Sequence, residues 1–482
     1  MKPKINSSKA APVAGRSPLA MTGFGFLLGL ALLKFGNPAI MEKWVSAPAD
    51  LFEFVLGNPW PLSWGYVLLG LASILAFSAA RPLRQAPLWI VLLPAGWLAW
   101  QFIAAAGTIS PELTRSVLAH FVACVVCFYV GLLCSYGERS VAWLLPGLLG
   151  ALLIVIAMGW QQHFGGLEQT RRYFFLYLYP KLKEVPPEYL KKLSSPRIFS
   201  TLFYPNALAG ALLLVLPACL QFTWQARERF TDGARIFLVL VIASGALGCL
   251  YWSGSKGGWL LMLALCLLWL LRRPFSQRLK QGLIVAILMI GLAGFFWKYS
   301  GFFQKGATSV GARFDYWTAA CKNTLAHPWI GTGPGTFSVV YARLKRPESE
   351  MSRLAHNDYL QQCSDSGVPG FVLYFGFIFA SLVLGFPRAE SGQAASGPLP
   401  SGLPKSKPKS AMPPGRLTTS EPDRNSNLWF ALWLGALGWA LQSFVEFGLY
   451  LPALAWPGFT FLGCLLRRRF ETEALERNVS SS

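Results

Sequence analysis

The chain has 482 residues, of which 54% are hydrophobic and only 13% are charged, and its mean hydropathy is +0.43. Soluble domains carry roughly 25% charged residues, so this composition excludes an ordinary water-soluble fold. A net charge of +21 would suggest nucleic-acid binding in a soluble protein. In a membrane protein, Lys and Arg instead collect in cytoplasmic loops, and we expect no nucleic-acid partner.

Apolar runs long enough to cross a ~30 Å hydrocarbon core recur along the chain. They predict an all-α polytopic membrane protein with about 12 transmembrane helices. The runs fall at about 20–36, 60–80, 86–106, 116–134, 141–160, 206–225, 235–252, 256–271, 281–298, 367–387, 428–446 and 452–466. No small-residue cleavage site follows the first run, so we interpret it as a retained helix and not as a signal peptide.

The distribution of positive charge predicts the orientation. With the N-terminus inside, the predicted cytoplasmic loops hold most of the basic clusters. These are Arg81 and Arg84; Arg139; Arg227, Arg229 and Arg235; Arg272, Arg273, Arg278 and Lys280; and Arg467, Arg468 and Arg469. We therefore predict a protein of the bacterial inner membrane with both termini in the cytoplasm.

This pattern divides the chain into five parts. The segment 388–427 is rich in Pro, Ser and Lys, which is typical of a disordered linker. The parts are a basic cytoplasmic N-terminus (1–19), a ten-helix core (20–387) with periplasmic loops 161–205 and 299–366, the cytoplasmic linker (388–427), the last two helices (428–466) and a cytoplasmic tail (467–482).

Two outer loops depart from the charge pattern or from the usual loop length. The first, 161–205, carries Arg171, Arg172, Lys181, Lys183, Lys191, Lys192 and Arg197. An anionic substrate would explain basic residues on this side, but long loops also translocate regardless of charge. The second loop, 299–366, lies between predicted helices 9 and 10 and has a globular composition, so we expect the chemistry between Trp297 and Gly370.

Cys321 and Cys363 both fall in this second loop. A disulfide between them is compatible with an oxidising periplasm. The spacing in the sequence does not show whether the two sulfurs meet.

The sharpest candidate for chemistry is His356, in the run His356–Gln362 that precedes Gly367-Val368-Pro369-Gly370. Imidazole titrates near neutral pH and can accept a proton from a hydroxyl nucleophile. A His in a loop is also commonly a structural hydrogen-bonding residue. His120, within an apolar run, is open to the same two interpretations.

Three cationic residues are candidates for binding an anion. Lys256 lies in a tight outer turn, Ser253–Gly258, whose glycines let a ligand approach the backbone, although a Lys at the interface also snorkels. Arg313 can grip a phosphate with two hydrogen bonds or form a salt bridge with Asp315. Arg197 lies at the outer mouth of the sixth predicted helix.

The Gly331–Gly335 run lacks the preceding strand and the following Lys-Ser/Thr of a phosphate-binding loop, so it is predicted to be a turn. The four His are scattered, and no acidic cluster or Asp-x-Asp pair accompanies them. The sequence therefore predicts no metal site and no cofactor.

Taken in chain order, these candidate residues resemble the signature of the O-antigen ligase and O-antigen polymerase superfamily. The resemblance covers roughly 195–375, and elsewhere it rests on the helix count alone. Each motif is weakly specific, whereas four in order on one predicted face are more specific. They are Arg197…Pro205-Asn206, Ser255-Lys256-Gly257, Arg313…Trp317…Pro328…Gly331-x-Gly333, and His356-Asn357 followed by Gly367-x-x-Gly370.

The resemblance implies a GT-C-like glycosyltransferase. Such an enzyme would take a glycan from undecaprenyl diphosphate at the periplasmic face and transfer it to a sugar hydroxyl, with inversion and without a metal. His356 would be the general base, oriented by Asn357 or Asp358. Arg313 and Lys256 would be the catalytic cations that stabilise the departing diphosphate.

The resemblance also implies a set of substrate-binding residues. They are Arg197, Asn206, Asn357, Asp358, Gly331 and Gly333. The chain departs from the family pattern at two positions. The family usually has Arg where this chain has Lys256, which keeps the charge but loses the two-pronged geometry. The acidic residue expected just before Gly367 is present only as Asp365.

Several alternatives remain at this stage. Ligases, polymerases and protein O-glycosylating enzymes share this core and differ in acceptor, which is lipid A core (the family default), a growing glycan or a Ser/Thr side chain. A transporter in the same membrane lipids would place charges deep in its spans or broken helices in both halves. The predicted spans carry almost no acidic residue, and Glu446 lies near an end. A non-catalytic scaffold would leave His356 and Arg313 unexplained.

Overall fold

A computed structural model describes residues 16–57, 59–83, 86–137, 139–181, 190, 194–304, 308–387 and 421–480. Within these ranges every regular element is helical, and no β-strand occurs. Several parts of the sequence predictions lie outside the described residues. These are the first 15 residues, Arg84, Lys183, Lys191, Lys192 and the linker segment 388–420.

The α-helices are numbered here in chain order. They are α1 (Arg16–Lys34), α2 (Leu51–Leu56), α3 (Leu62–Phe77), α4 (Leu88–Ala105), α5 (Pro111–Cys134), α6 (Ser140–Gln161), α7 (Leu167–Tyr173), α8 (Pro205–Gln225), α9 (Asp232–Ser253), α10 (Lys256–Arg272), α11 (Gln277–Gln304), α12 (Thr308–Ala326), α13 (Phe337–Leu344), α14 (Asp358–Leu384), α15 (Glu421–Gln442) and α16 (Pro452–Ser480). Short 3₁₀-helices span Ala39–Trp44, Tyr179–Lys181 and Gly448–Tyr450, and π-helical turns span Gln162–Gly166 and Phe174–Leu178.

Each predicted apolar run coincides with one α-helix of the structure, namely α1, α3 to α6, α8 to α11 and α14 to α16. Among the described residues, 7 helices are long and apolar enough to cross a membrane by length and composition. Two shorter apolar helices, Pro18–Lys34 and Leu62–Phe77, accompany them. The prediction of an all-helical polytopic membrane protein is confirmed, whereas the number of crossings stays a prediction.

The segment 299–366 is more regular than a loop. Helix α11 continues to Gln304, α12 and α13 follow, and α14 begins at Asp358 instead of near 367. The early start has a local cause, because the Asn357 side chain caps α14 by accepting from the Leu360 backbone N–H at 3.0 Å. Gly367 (φ 72°) then interrupts the helix at the residue where the apolar run begins.

The segment between α11 and α14 has its own small hydrophobic core. Its buried members are Tyr316, Ala319, Ala320, Phe337, Tyr341 and Ala355. Because α12 and α13 bury aromatic rings against each other, this part of the chain is a folded unit that can hold side chains in fixed positions.

Three other predicted boundaries differ from the structure. Residues 162–181 of the first outer loop are helical, α15 begins at Glu421 within the predicted linker, and α16 continues to Ser480 through the predicted tail. An apolar run identifies only the part of a helix that can lie in lipid, so it does not predict polar extensions of that helix.

The bundle is held by close helix pairs. Helix α1 packs along α6, α5 along α16, and α8 against both α9 and α15. Gly25 with Gly147 and Gly131 with Gly463 lie at two of these crossings, where small residues let backbones approach. The pairing of α8 with α15 brings the start of α8 next to the turn that follows α15.

Candidate active site

Three of the predicted site residues contact the carboxylate of Glu446. Arg313 from α12 forms an ion pair with its Oε1, and Asn206 Nδ2 from α8 donates to the same oxygen at 2.5 Å. His356 Nδ1 lies 3.1 Å from Oε2. Arg197 is linked to Glu446 through Asn206, because Arg197 Nη2 donates to Asn206 Oδ1 at 2.7 Å. Four residues predicted from three separate motifs therefore meet in one cluster.

Glu446 lies in the turn between α15 and the 3₁₀-helix Gly448–Tyr450. Gln442, the last residue of α15, donates from Nε2 to the Asn206 carbonyl oxygen at 2.8 Å, which holds this turn against the start of α8. Burial raises the pKa of Glu446, but His356, Arg313 and Arg197 together outweigh burial and hold the pKa below its ordinary value. The carboxylate is therefore ionised at neutral pH.

The imidazole of His356 is fixed on several sides. It stacks on Tyr316 with ring centroids 5.7 Å apart and makes an edge contact with Phe447 at 4.7 Å. Its backbone φ of 52° lies in the left-handed region that residues with a Cβ rarely adopt, as happens at functional sites. The side chain remains 23% exposed, so the ring is both held and accessible.

The contact with Glu446 determines the tautomer of His356. An ionised carboxylate only accepts hydrogen bonds, so the proton must be on Nδ1. Among the described residues none makes a hydrogen bond to Nε2. In this tautomer Nε2 bears the lone pair and can accept a proton.

Arg197 and Lys256 are brought together by the turn between α9 and α10. Arg197 Nε donates to the Ser253 carbonyl oxygen at 2.6 Å, and its side chain lies against Gly254, whose φ is 62°. Ser255 caps α10 by accepting from the Gly258 backbone N–H. Lys256 follows, with Nζ 5.1 Å from the ring centroid of Tyr299.

Positive charge exceeds negative charge in this cluster. The charges of Arg197 and Arg313 both act on the Lys256 ammonium, while Glu446 is the carboxylate that pairs with Arg313. Arg313 Nε is buried without a hydrogen-bond partner within the described structure. Two guanidinium groups beside one carboxylate, with the Lys256 ammonium within reach of their charges, favour an anionic ligand such as a phosphate group.

Residues 238–375 match the family model described as O-Antigen ligase. The chain carries an O-antigen ligase domain. The match confirms the resemblance to the O-antigen ligase and polymerase superfamily, and it includes Lys256, Arg313 and His356. Arg197 and Glu446 lie outside the matched residues. No curated protein sequence matches the chain.

Within the O-antigen ligase domain, the side chains of Asn357 and Asp358 make no hydrogen bond with the His356 imidazole. Asn357 caps α14, and Asp358 is fully buried with Oδ2 accepting from the Leu449 backbone N–H at 2.8 Å. The orienting contact expected from one of them is made by Glu446 instead. As the first residue of a packed helix, Asp358 points into the bundle. A role of both residues in substrate binding stays a prediction.

The glycine run of the O-antigen ligase domain is a turn, as predicted. Gly331 and Gly333 have φ values of 64° and 104°. The Gly333 N–H donates to the backbone oxygen of Asp365 at 2.8 Å, and the Gly335 N–H donates to Asp365 Oδ2 at 2.9 Å. The turn fastens the segment before α13 to α14, and contact of Gly331 and Gly333 with substrate stays a prediction.

Other candidates lie away from this cluster. His120 is fully buried, with Nε2 2.7 Å from the Leu449 carbonyl oxygen, which is a helix-packing hydrogen bond. Cys321 and Cys363 are free thiols in the structure. Among the described residues, no group of three or more His, Cys, Asp or Glu is arranged to hold a metal ion.

Sequence reasoning did not select Glu446, which lies beyond the O-antigen ligase domain. A signal was nevertheless present. Glu446 is an acidic residue in the otherwise apolar segment 428–466, and an ionisable residue at the end of a predicted span is by default a functional candidate. Its partners come from three distant parts of the chain, so only the fold identifies them.

Proposed function

We propose that the protein is an inverting membrane glycosyltransferase of the O-antigen ligase type. It moves a glycan from undecaprenyl diphosphate to a sugar hydroxyl, by family default on lipid A core, at the periplasmic face of the bacterial inner membrane. The observation that carries this proposal is the convergence of His356, Arg313 and Arg197 on the Glu446 carboxylate, with Lys256 close enough to feel the charges of both arginines.

The residues suit a single displacement at the anomeric carbon. His356 Nε2 takes the proton of the acceptor hydroxyl as its oxygen bonds to that carbon from the face opposite the diphosphate. The bond between the carbon and the diphosphate oxygen breaks, and the diphosphate leaves with the electron pair. Attack from the opposite face inverts the configuration.

The departing diphosphate gains negative charge, which the cations are placed to stabilise. Arg313 offers a planar fork of donors, Arg197 a second guanidinium, and Lys256 an ammonium. Fixed charges in a site shielded from water stabilise developing charge strongly, because no reorganisation is needed. In this proposal the three side chains provide the positive charge, so no metal takes part.

The experiment is complementation of a deletion strain with the wild type, His356→Ala or Arg313→Ala. Membrane levels, glycan attachment to the acceptor and the amount of lipid-linked glycan are measured together. We expect both variants to insert normally, to lose attachment and to accumulate lipid-linked glycan. The acceptor that remains unmodified identifies the enzyme as a ligase, a polymerase or a protein O-glycosylating enzyme.

His327→Ala and Arg346→Ala are the matched controls. Both residues lie in the same folded segment, His327 is exposed, and Arg346 pairs with Asp315 at the surface with 70% of its side chain exposed. These controls should restore attachment fully. Full restoration by His356→Ala and Arg313→Ala would overturn the proposal and favour a transporter.

A further inference from the structure

We infer that Glu446 is the positioning residue of the site. One oxygen of its carboxylate fixes the His356 proton on Nδ1, so that Nε2 can take the acceptor proton, and the other oxygen holds Arg313 and Asn206 where the diphosphate binds. This inference rests on the proposed function and assigns a role to a residue outside the O-antigen ligase domain.

The first half follows from the contact at Oε2. When Nε2 takes a proton, the imidazole becomes positively charged, and the carboxylate 3.1 Å from Nδ1 stabilises that charge. Tyr316 and Phe447 keep the ring from turning away. Phe447 follows Glu446 directly, so one turn of the chain supplies both the carboxylate and a wall of the ring's pocket.

The second half follows from the contacts at Oε1. This oxygen accepts from Arg313 and from Asn206, and Asn206 in turn accepts from Arg197. The chain of contacts fixes two guanidinium groups relative to the base. A departing diphosphate would therefore meet cations whose positions are already coupled to that of His356, which is the preorganisation that lowers a barrier.

Glutamine is a discriminating substitution. A carboxylate offers two accepting oxygens, whereas an amide offers one oxygen and an NH₂ group that donates. In Glu446→Gln the oxygen can face either His356 or Arg313, and the NH₂ group then faces another donor. Glu446→Asp keeps both accepting oxygens but shortens the side chain by one methylene, so it should retain part of the function.

The charged groups around Glu446 determine how its removal should change the pH dependence of the transfer rate. Glu446 faces Arg313 from α12, His356 from the start of α14, and Arg197 from the segment before α8. Its charge also acts on buried Asp358 of α14. Without the carboxylate, the imidazolium lacks its nearest anion, so the limb of the rate profile that reports protonation of the base should move to lower pH.

The test uses full-length protein in lipid nanodiscs, with lipid-linked glycan and unmodified acceptor isolated from the deletion strain. Rates are measured against pH and substrate concentration for the wild type, Glu446→Gln, Glu446→Asp, His356→Ala and the control Asp315→Asn. Binding of undecaprenyl diphosphate is measured separately. Asp315 is a fair control because it is also an ion-paired acid, and it lies on the same helix as Arg313 but outside the cluster.

We expect Glu446→Gln to lower kcat by roughly 100-fold, the scale of a lost general base, and to move the acidic limb to lower pH. It should also weaken undecaprenyl diphosphate binding. Glu446→Asp should recover part of kcat, and Asp315→Asn should match the wild type.

Two outcomes would overturn the inference alone. Glu446→Gln with wild-type kcat and pH profile, beside an inactive His356→Ala, would show that Glu446 does not position the base. A lower kcat with an unchanged pH profile would show that Glu446 only holds α12 against the turn after α15 and does not act on the base. If His356→Ala retained full activity, the proposed function itself would fail.

Discussion

Glu446 Oε2 lies 3.1 Å from His356 Nδ1, although 90 positions separate the two residues in the chain. His356 stands at the start of α14 inside the O-antigen ligase domain, and Glu446 stands in the turn after α15, outside it. The cluster is thus completed by helices that flank the domain. Docking of α15 and α16 onto the bundle is therefore a condition for forming the site.

Arg313 should be the most sensitive of the cations, because it combines a guanidinium fork with an ion pair to Glu446. We expect Arg313→Ala to lower the transfer rate by about 100-fold or more, as loss of one preorganised donor does. Arg313→Lys should keep the charge and recover only part of the rate, since Lys lacks the two-pronged geometry. Initial rates at saturating donor measure this difference.

Arg346→Ala serves as the matched control for Arg313. Its ion pair with Asp315 is solvent-exposed, and exposed pairs contribute about 0–1 kcal/mol to stability. Equal losses in Arg313→Ala and Arg346→Ala, at equal membrane levels, would mean that the folding of the segment, and not the charge of Arg313, is being measured.

Lys256 tests whether charge or geometry matters at the turn between α9 and α10. Its Nζ lies over the Tyr299 ring, a contact that a guanidinium makes equally well. Because the family that the chain resembles usually has Arg here, Lys256→Arg should keep the transfer rate within about threefold, while Lys256→Met should lose about tenfold or more. Lys322→Met, an exposed position on α12, is the control.

An inactive Lys256→Arg, beside normal insertion, would show that the turn has adapted to a compact ammonium. Wild-type activity in Lys256→Met would remove this residue from the site. Both results would be read from transfer rates normalised to protein in the membrane.

The sequence predicted much of the fold for a clear reason. Each apolar run coincides with a helix because a helix in lipid needs apolar side chains on every face. Polar extensions follow no such rule, so the helical residues 421–427 and the early start of α14 at Asp358 were missed. Capping by Asn357 is a local device that becomes recognisable only once the helix is known.

The site was predictable in part. His356, Arg313, Arg197 and Lys256 were found because imidazole and cations at an outer surface suit acid–base chemistry and phosphate binding. The contact between Glu446 and His356 was not predicted, because it depends on how α15 packs against α8 and α14. A motif over residues 195–375 cannot contain a partner at position 446, and it offers only the nearby Asn357 and Asp358 as orienting residues.

The lowered pKa of Glu446 predicts a pH dependence of stability. Its ordinary pKa is 4.5, and the folded protein holds the pKa below that value, burial being outweighed by His356, Arg313 and Arg197. The ionised carboxylate therefore adds stability that is present above pH 4.5 and is lost as the pH falls through the lower folded pKa. Apparent Tm in detergent from pH 7 to pH 3.5 should show wild type and Glu446→Gln converging at the acidic end.

A difference in Tm between wild type and Glu446→Gln that stays constant over this range would contradict the prediction. In that case the loss in the variant would come from packing of the turn after α15. Transfer activity is not needed for this measurement, so it tests the electrostatics of the cluster independently of its chemistry.

Cys321 reports the predicted orientation of the membrane protein. It lies exposed on α12, in the segment predicted to face the periplasm, and an exposed thiol reacts with maleimides as its thiolate. A membrane-impermeant maleimide should therefore label the wild type in intact cells with a permeable outer membrane. Cys321→Ala should lose most of that label, because Cys363 is only half-buried, the exposed Cys266 lies within the apolar helix α10, and the other six cysteines are buried.

The reductant dependence of the label tests the relation between Cys321 and Cys363. The structure has both as free thiols, which predicts labelling without a reductant. Labelling that requires a reductant in the wild type, but not in Cys363→Ala, would show instead that an oxidising periplasm joins the two sulfurs and clamps α12 to α14. Labelling that appears only after the inner membrane is broken would place α12 on the cytoplasmic side. The site built around Arg313 and His356 would then face the wrong compartment for a periplasmic glycan donor.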